Sequence, residues 1–263
     1  MCGRFVLVQK LEKIADRFGV NIPDGLDYTT SYNIGPGKYS LVITDREPNS
    51  IEKFRFGLTP FWSKKSMLLF NARAEGDRNK ENRPDYSGAR DIISKPAFRK
   101  PIRSQRCLVI ADAFYEGSTT NGLDDAHLVF LKNKQRPFAF AGIWDTWKNP
   151  ETGKLIEGFS IITTTPNALL QKIPHHRSPV ILSPSQEKLW LNQDAPLTDI
   201  TACLKPFPSE KMNAYPVSSK VKSLRNDSRE MINPVGAELN PDTDANVKNH
   251  LSKQGFGRRG RHF

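Results

Sequence analysis

The chain has 263 residues and is 37 % hydrophobic, with 15 Phe and 4 Trp, enough to bury a substantial core in one large domain or two small ones. No apolar run approaches the ~18 residues that a membrane crossing needs, and residues 1–20 carry charges where a signal peptide is apolar. Its 39 Lys and Arg against 28 Asp and Glu leave a net charge of +11, suited to a polyanion such as nucleic acid or to a basic surface kept for solubility.

The composition therefore predicts a soluble, cytoplasmic chain. Three scattered cysteines, Cys2, Cys107 and Cys203, form no CxxC pair and argue against a disulfide framework or a structural zinc site. No metal or other cofactor is expected.

In chain order, Leu11, Ile14, Ala15 and Phe18 recur at helical spacing within residues 10–18. SLVITD (40–45) then reads as a strand. Residues 76–95 are polar and contain Pro84 and Gly88, which predicts a mobile excursion. RCLVIADAFYEG (106–117), FAFAGIWDTW (138–147) and FSIITTT (159–165) are β-branched or aromatic runs bounded by turn residues, hence strands. Phe114, Trp144 and Trp147 fall inside them and are assigned to the core. SPSQEKLWL (183–191) offers a serine cap, an early proline and an apolar run, a helix start. From about residue 236 Asn, Asp and Lys take over, ending SKQGFGRRGRHF, a disordered basic tail. The expectation is an α+β domain over 1–235 with a mostly antiparallel sheet or barrel-like core, a few flanking helices and a tail over 236–263.

The terminal MCGRF raises a chemical question. Removal of Met1 would give Cys2 a free α-amine beside its thiol, a pair that can condense with an aldehyde to an imine and close on the same carbon as a thiazolidine. Such an amine titrates near ~7.7–8.0, whereas lysine waits until ~10.4, so part of it is nucleophilic at neutral pH. Arg4 would lower the thiol pKa by its charge and hold an anionic group of the substrate. A terminal Cys-Gly also opens glutamine amidotransferases that use the thiol against an amide, and a small residue in a first strand would explain Cys2 without chemistry. Residue type alone leaves these three readings open.

Further on, YNIGPG (32–37), FGLTPFW (56–62), NARAE (71–75), RCLVIADAFYEG (106–117), AGIWDTW (141–147), TTTPN (163–167), HHRSPVIL (175–182) and YPVS (215–218) follow in order. With the terminal Cys-Gly-Arg-Phe, this series resembles the SOS-response-associated peptidase family, the abasic-site processing proteins, from Cys2 to about Val235. The resemblance implies DNA-damage chemistry of the SOS response: binding of single-stranded DNA at an abasic site and a covalent thiazolidine link through Cys2 that shields the lesion from strand cleavage. It also implies removal of the chain's own Met1, possible crosslink reversal, and lyase-like imine chemistry if thiol closure fails. A glutamine-amidotransferase-like hydrolase and a noncatalytic single-strand binding module are the alternatives.

Carried over by position, the resemblance makes Cys2 the nucleophile, Asn71 a hydrogen bond to the opened sugar, Glu116 the proton shuttle, and His175 of the H-x-R-x-P pattern an aid to ring opening or imine chemistry. His176 occupies the variable place. Arg4, Arg73 and Arg177 are expected on phosphates; Phe61 and Trp62 on unpaired bases, with Pro36 lining the same groove. Alternation in NARAE puts Asn71, Arg73 and Glu75 on one face. Phe56 and Gly117 stand where the family commonly has Trp, Ser178 replaces Met or Arg, and Lys222 replaces Asn or Gly. A monomer, nucleoid-associated when bound to DNA, is expected.

Overall fold

Short β-branched and aromatic runs separated by turn residues dictate a molecule made mainly of strands. A computed structural model describes residues 2–132 and 136–240. In order come β1 (Phe5–Leu7), α1 (Leu11–Phe18), β2 (Ser31–Ile34), β3 (Tyr39–Thr44), β4 (Glu52–Phe56), β5 (Asn71–Arg73) and α2 (Pro101–Ser104). Next are β6 (Arg106–Ala111), β7 (Ala113–Ser118), β8 (Gly122–Leu131), β9 (Phe138–Lys148) and β10 (Leu155–Thr164). Then follow α3 (Ala168–Lys172), β11 (Ser178–Pro179), β12 (Ile181–Leu182), α4 (Pro184–Leu191), α5 (Leu197–Ala202) and β13 (Met212–Pro216).

Strands β4, β3, β6, β9 and β10 are successive neighbours, and β10 pairs back onto β4, closing a barrel-like sheet. Only the β10–β4 contact of this circuit is parallel. β5 continues parallel to β10 where β4 stops: Phe56 lies opposite Phe159 and Asn71 opposite Ile161. A second, antiparallel sheet has the order β13–β8–β7–β1–β2. Its Phe5 and Phe114 pack edge-on against barrel Phe140, with ring centroids 6.1 and 5.7 Å apart, while Phe5 also meets Phe56 at 5.4 Å. Each such buried ring contributes about 1.5–3 kcal/mol, so this aromatic seam joins the two sheets into one core.

The α+β architecture with an antiparallel, barrel-like centre is the expected one, and Phe114, Trp144 and Trp147 are buried. The run at 106–117, read as one strand, is two. The chain turns at Asp112, whose N–H donates to Val6 O at 2.7 Å while its Oδ2 accepts from Val8 N–H (2.6 Å) and Gln9 N–H (3.1 Å). β6 thus stays in the barrel and β7 enters the second sheet beside β1. The helix expected within 10–18 is α1, ended by Gly19 at φ +66°, and that at 183–191 is α4, entered through a reciprocal Ser183–Gln186 capping box.

Residues 76–95 are anchored where Asn79 and Ile92 are buried and Ile92 N–H donates to Ala74 O at 3.2 Å; most of 81–90 is exposed. Residues 236–240, expected in the tail, lie along β13, with Leu239 N–H donating to Ala214 O at 2.8 Å. The rest of that tail, 241–263, is outside the described residues. Among the described residues no helix is long and apolar enough to cross a membrane.

Candidate active site

Register determines what lies beside Cys2. In the β1–β7 pair Phe5 faces Phe114, and Tyr115 N–H donates to Arg4 O at 2.9 Å, so the antiparallel progression carries Cys2 to the Glu116–Gly117 end of β7. β7 is bulged between Glu116 and Ser118. A Cβ on Gly117 would fall 1.7 Å from Gly122 O, which only glycine avoids. This accounts for the glycine at position 117. His175 Nδ1 lies 2.7 Å from Gly117 O.

His175 is delivered by the turn after α3. Asn167 caps that helix by accepting Leu170 N–H at 3.0 Å, and His175 N–H donates to Leu170 O at 3.0 Å. Thr119 clips the same turn to the β7–β8 hairpin: its N–H and its hydroxyl both donate to Pro174 O at 3.0 Å. From the other side, the parallel β5–β10 ladder brings Asn71, whose Nδ2 donates to Cys2 O at 3.0 Å and Phe70 O at 3.0 Å. Among the described residues Asn71 Oδ1 is buried without a hydrogen-bond donor. Asn71, Glu116 and His175, singled out in the sequence, thus converge on Cys2.

Partners settle the protonation states. A carbonyl only accepts, so His175 Nδ1 carries its hydrogen and Nε2, 3.2 Å from Glu116 Oε2, is the basic nitrogen. Glu116 is 3 % exposed, and burial raises its carboxyl from 4.5 to about 7. His175 is 7 % exposed, and burial lowers its imidazole from 6.5 to about 4. Burial thus disfavours an imidazolium–carboxylate ion pair at this position. The Cys2 thiol is pushed well up by burial and then by the charge of Glu116. The net direction is opposite to the expected lowering: Arg4 acts on the sulfur only through its backbone N–H, the smallest of these influences. The guanidinium of Arg4 instead donates to Gly3 O (3.0 Å) and Lys222 O (3.2 Å). At neutral pH the sulfur keeps its proton, and Glu116 is the base beside it.

Arg4, Glu116, Gly117, His175 and Lys222 line a cleft of about 250 Å³. A cavity of about 750 Å³ between α1 and α4 contains none of these groups. Arg4 packs over the YNIGPG loop, within 2.6 Å of where a Gly35 Cβ would lie, which brings half-buried Pro36 to the same edge. Phe61 and Trp62 are 53 % and 51 % exposed, unlike core aromatics, and Lys100 Nζ sits 4.6 Å from the Phe61 ring centroid. Arg73 is half-buried, its Nη2 donating to Asn79 O and Asn82 Oδ1.

Arg177, expected on a phosphate, is only 1 % exposed and is held in an ion pair with Glu75 at 2.7 Å and on Thr163 O at 2.8 Å. Glu75 also accepts from Thr164 Oγ1 at 2.9 Å and meets Arg90 at 3.4 Å. Sequence reasoning passed over Thr119 and left His176 without a role. Their adjacency spans a long gap in the chain, and the doubled histidine was the only local signal. Among the described residues no group of three or more His, Cys, Asp or Glu could hold a metal ion.

A cysteine at the head of β1, a buried carboxyl–imidazole pair and a clamping asparagine define a site for nucleophilic and proton-transfer chemistry. A sequence model of the SOS response associated peptidase (SRAP) family matches residues 1–224, and the chain belongs to that family. It is 37 % identical over 239 residues to the abasic site processing protein YoqW of Bacillus subtilis (strain 168), covering 88 % of this chain and 99 % of that one. With the abasic site processing protein YedK of Escherichia coli (strain K12) it shares 27 % over 243 residues, covering 89 % and 100 %. An X-ray structure of a Bacteroides thetaiotaomicron protein superposes with a TM-score of 0.74 at 29 % identity, over 89 % of this chain and all of that one.

Proposed function

We propose that this protein processes abasic sites in single-stranded DNA and captures them covalently through Cys2 once Met1 is removed. The observation that carries this reading is the buried Glu116–His175 contact at 3.2 Å beside a buried Cys2 whose carbonyl is clamped by Asn71. Relatives named abasic site processing proteins, matched over 99 % and 100 % of their own length, support it. So does the cleft: 250 Å³ is below the ~300–1,000 Å³ usual for small-molecule pockets and suits a sugar that has lost its base.

The Cys2 amine adds to the C1′ aldehyde of the opened deoxyribose, and the carbinolamine loses water to leave an imine. The thiol sulfur then bonds to the same carbon, its proton passing to the Glu116 carboxylate while the nitrogen takes one from water. Asn71 Oδ1 accepts a sugar hydroxyl, Arg4 and Arg73 seat flanking phosphates, and Phe61 and Trp62 stack on neighbouring bases beside Pro36. Arg177 takes no phosphate in this scheme: buried against Glu75, it holds the NARAE segment in place from beneath. Glu116 would also serve release of Met1 and reversal of the crosslink.

The test is to incubate the Met-trimmed chain with a single-stranded oligonucleotide carrying one glycosylase-excised uracil, and to read denaturing gels and intact mass. The expected product is protein plus oligonucleotide less one water. Cys2→Ala should give none, whereas Cys2→Ser should retain imine chemistry and cleave the strand. Crosslinking by Cys2→Ala at the wild-type level would overturn the proposal.

A further inference from the structure

The doubled histidine contains a second imidazole that the reaction above does not use. His176 is half-buried and stacks on His175 with ring centroids 5.2 Å apart and planes 21° apart. Its Nδ1 lies 2.7 Å from Thr119 Oγ1. With the hydroxyl hydrogen donated to Pro174 O at 3.0 Å, the oxygen accepts from His176 Nδ1. His176 therefore carries its hydrogen on Nδ1 and presents Nε2 as a lone pair, and among the described residues nothing hydrogen-bonds to it. Burial and its neighbour His175 push its imidazole down to about 4, and the charges of Arg177 and Arg73 act in the same direction. The ring is stacked directly on His175, whose own ring lines the cleft that suits the sugar.

We infer that His176 is a further catalytic residue, the base that opens the deoxyribose ring. This rests on the proposed capture of abasic sites. The C1′ hydroxyl proton passes to His176 Nε2 as the C1′ carbonyl forms. The C1′–O4′ bond breaks with its electron pair going to O4′, which takes the proton of the Glu116 carboxyl. His176 then sheds its proton to water, and Glu116 is left ionised, ready for the Cys2 thiol. Thr119 is the positioning residue, because its committed hydroxyl sets the tautomer of His176.

The experiment compares Met-trimmed wild type, His176→Ala, His176→Phe and Thr119→Val in single-turnover capture, followed by mass. One substrate is the abasic oligonucleotide and the other is glycolaldehyde, which has no ring to open. His176→Ala should slow capture of the oligonucleotide on the order of 10²-fold, the scale of a lost general base, and leave the glycolaldehyde rate unchanged. Added imidazole should restore the oligonucleotide rate of His176→Ala. His176→Phe keeps a stacked ring and should be equally slow but not restored, and Thr119→Val should be slow as well. Should His176→Ala not fold, as judged by its melting curve, the Phe and Val variants decide. Wild-type rates in His176→Phe, or equal slowing on both substrates, would overturn the assignment. Absence of any wild-type adduct with the oligonucleotide would instead sink the proposed function itself.

Discussion

Glu116 is buried among apolar strands, and its carboxyl stands at about 7 where 4.5 is ordinary. A carboxyl raised on folding means that the native state binds more protons than the unfolded chain between those two values. Its contribution to stability is therefore intact below pH 4.5 and is lost as pH climbs through 7. That interval corresponds to about 3 kcal/mol. Glu116→Gln removes the ionisable group, so its melting temperature relative to wild type should rise between pH 5 and pH 8, as thermal unfolding at several pH values would record. A difference that stays flat with pH would show that the carboxyl is not raised. The same variant should lose capture by ~10²–10⁴-fold, because an amide cannot ferry the proton. Stability is given up at this residue for a base that works near neutrality.

At the scale of elements, the Glu75–Arg177 pair ties the chain just beyond β5 to the segment entering β11, across Thr163 and Thr164 of β10. Burial alone would raise the Glu75 carboxyl, yet the Arg177 pair and its hydrogen bonds bring it below the ordinary value. Glu75→Gln would leave a buried guanidinium without its counter-charge and should cost about 3–5 kcal/mol in denaturant unfolding. Adding Arg177→Met should recover part of that loss; failure of the double variant to improve would mean that the pair is not what the site rests on. The strands themselves were legible, because β-branched and aromatic runs between turn residues announce them. The break at Asp112 was not, since an isolated Asp in an apolar run gives no sign that it will accept two N–H groups from the other end of the chain. Nor was the burial of Arg177, whose partner lies far away in sequence. Arg4 misled in the opposite sense: two positions from Cys2 it promised an ionised thiol, but its guanidinium reaches backbone carbonyls instead. The motif residues Asn71, Glu116 and His175 could be named from the pattern, whereas the direction of proton flow between them needed the Gly117 carbonyl.

For the molecule as a whole, a charge of +11 and the exposed Phe61 and Trp62 rings make a surface for a flexible polyanion. Affinity for an undamaged single-stranded oligonucleotide should fall linearly on a log–log plot against salt, by ~0.7 per phosphate neutralised. Arg73→Ala should lower that slope by about one contact, and Trp62→Ala should cost ~1–3 kcal/mol while leaving the slope alone. Fluorescence anisotropy across several salt concentrations separates the two. A steeper or unchanged slope in Arg73→Ala would remove that arginine from the phosphate track.

The way β4 and β5 share β10 has a consequence for how far the protein reaches. Phe56 and Asn71 sit opposite Phe159 and Ile161, so the stretch between them leaves and rejoins the barrel almost at one point. It is closed again by the Leu58–Leu69 bridge and by Thr59 Oγ1 donating to Met67 O at 2.7 Å. Beyond that double clasp the stretch is tied to β9 where Phe61 N–H donates to Asp145 Oδ2 at 2.9 Å and Trp147 Nε1 donates to Ser63 O at 2.7 Å, while the Phe61 and Trp62 rings and residues 64–66 are exposed. Doubling the length of such a closed loop costs roughly 0.6 kcal/mol, so the finger can be extended or trimmed without disturbing the chemistry at its root. The number of nucleotides spanned between a stacked base and the trapped sugar is then an adjustable dimension, one that insertion at the fingertip would change while the cysteine, carboxyl and imidazoles keep their places.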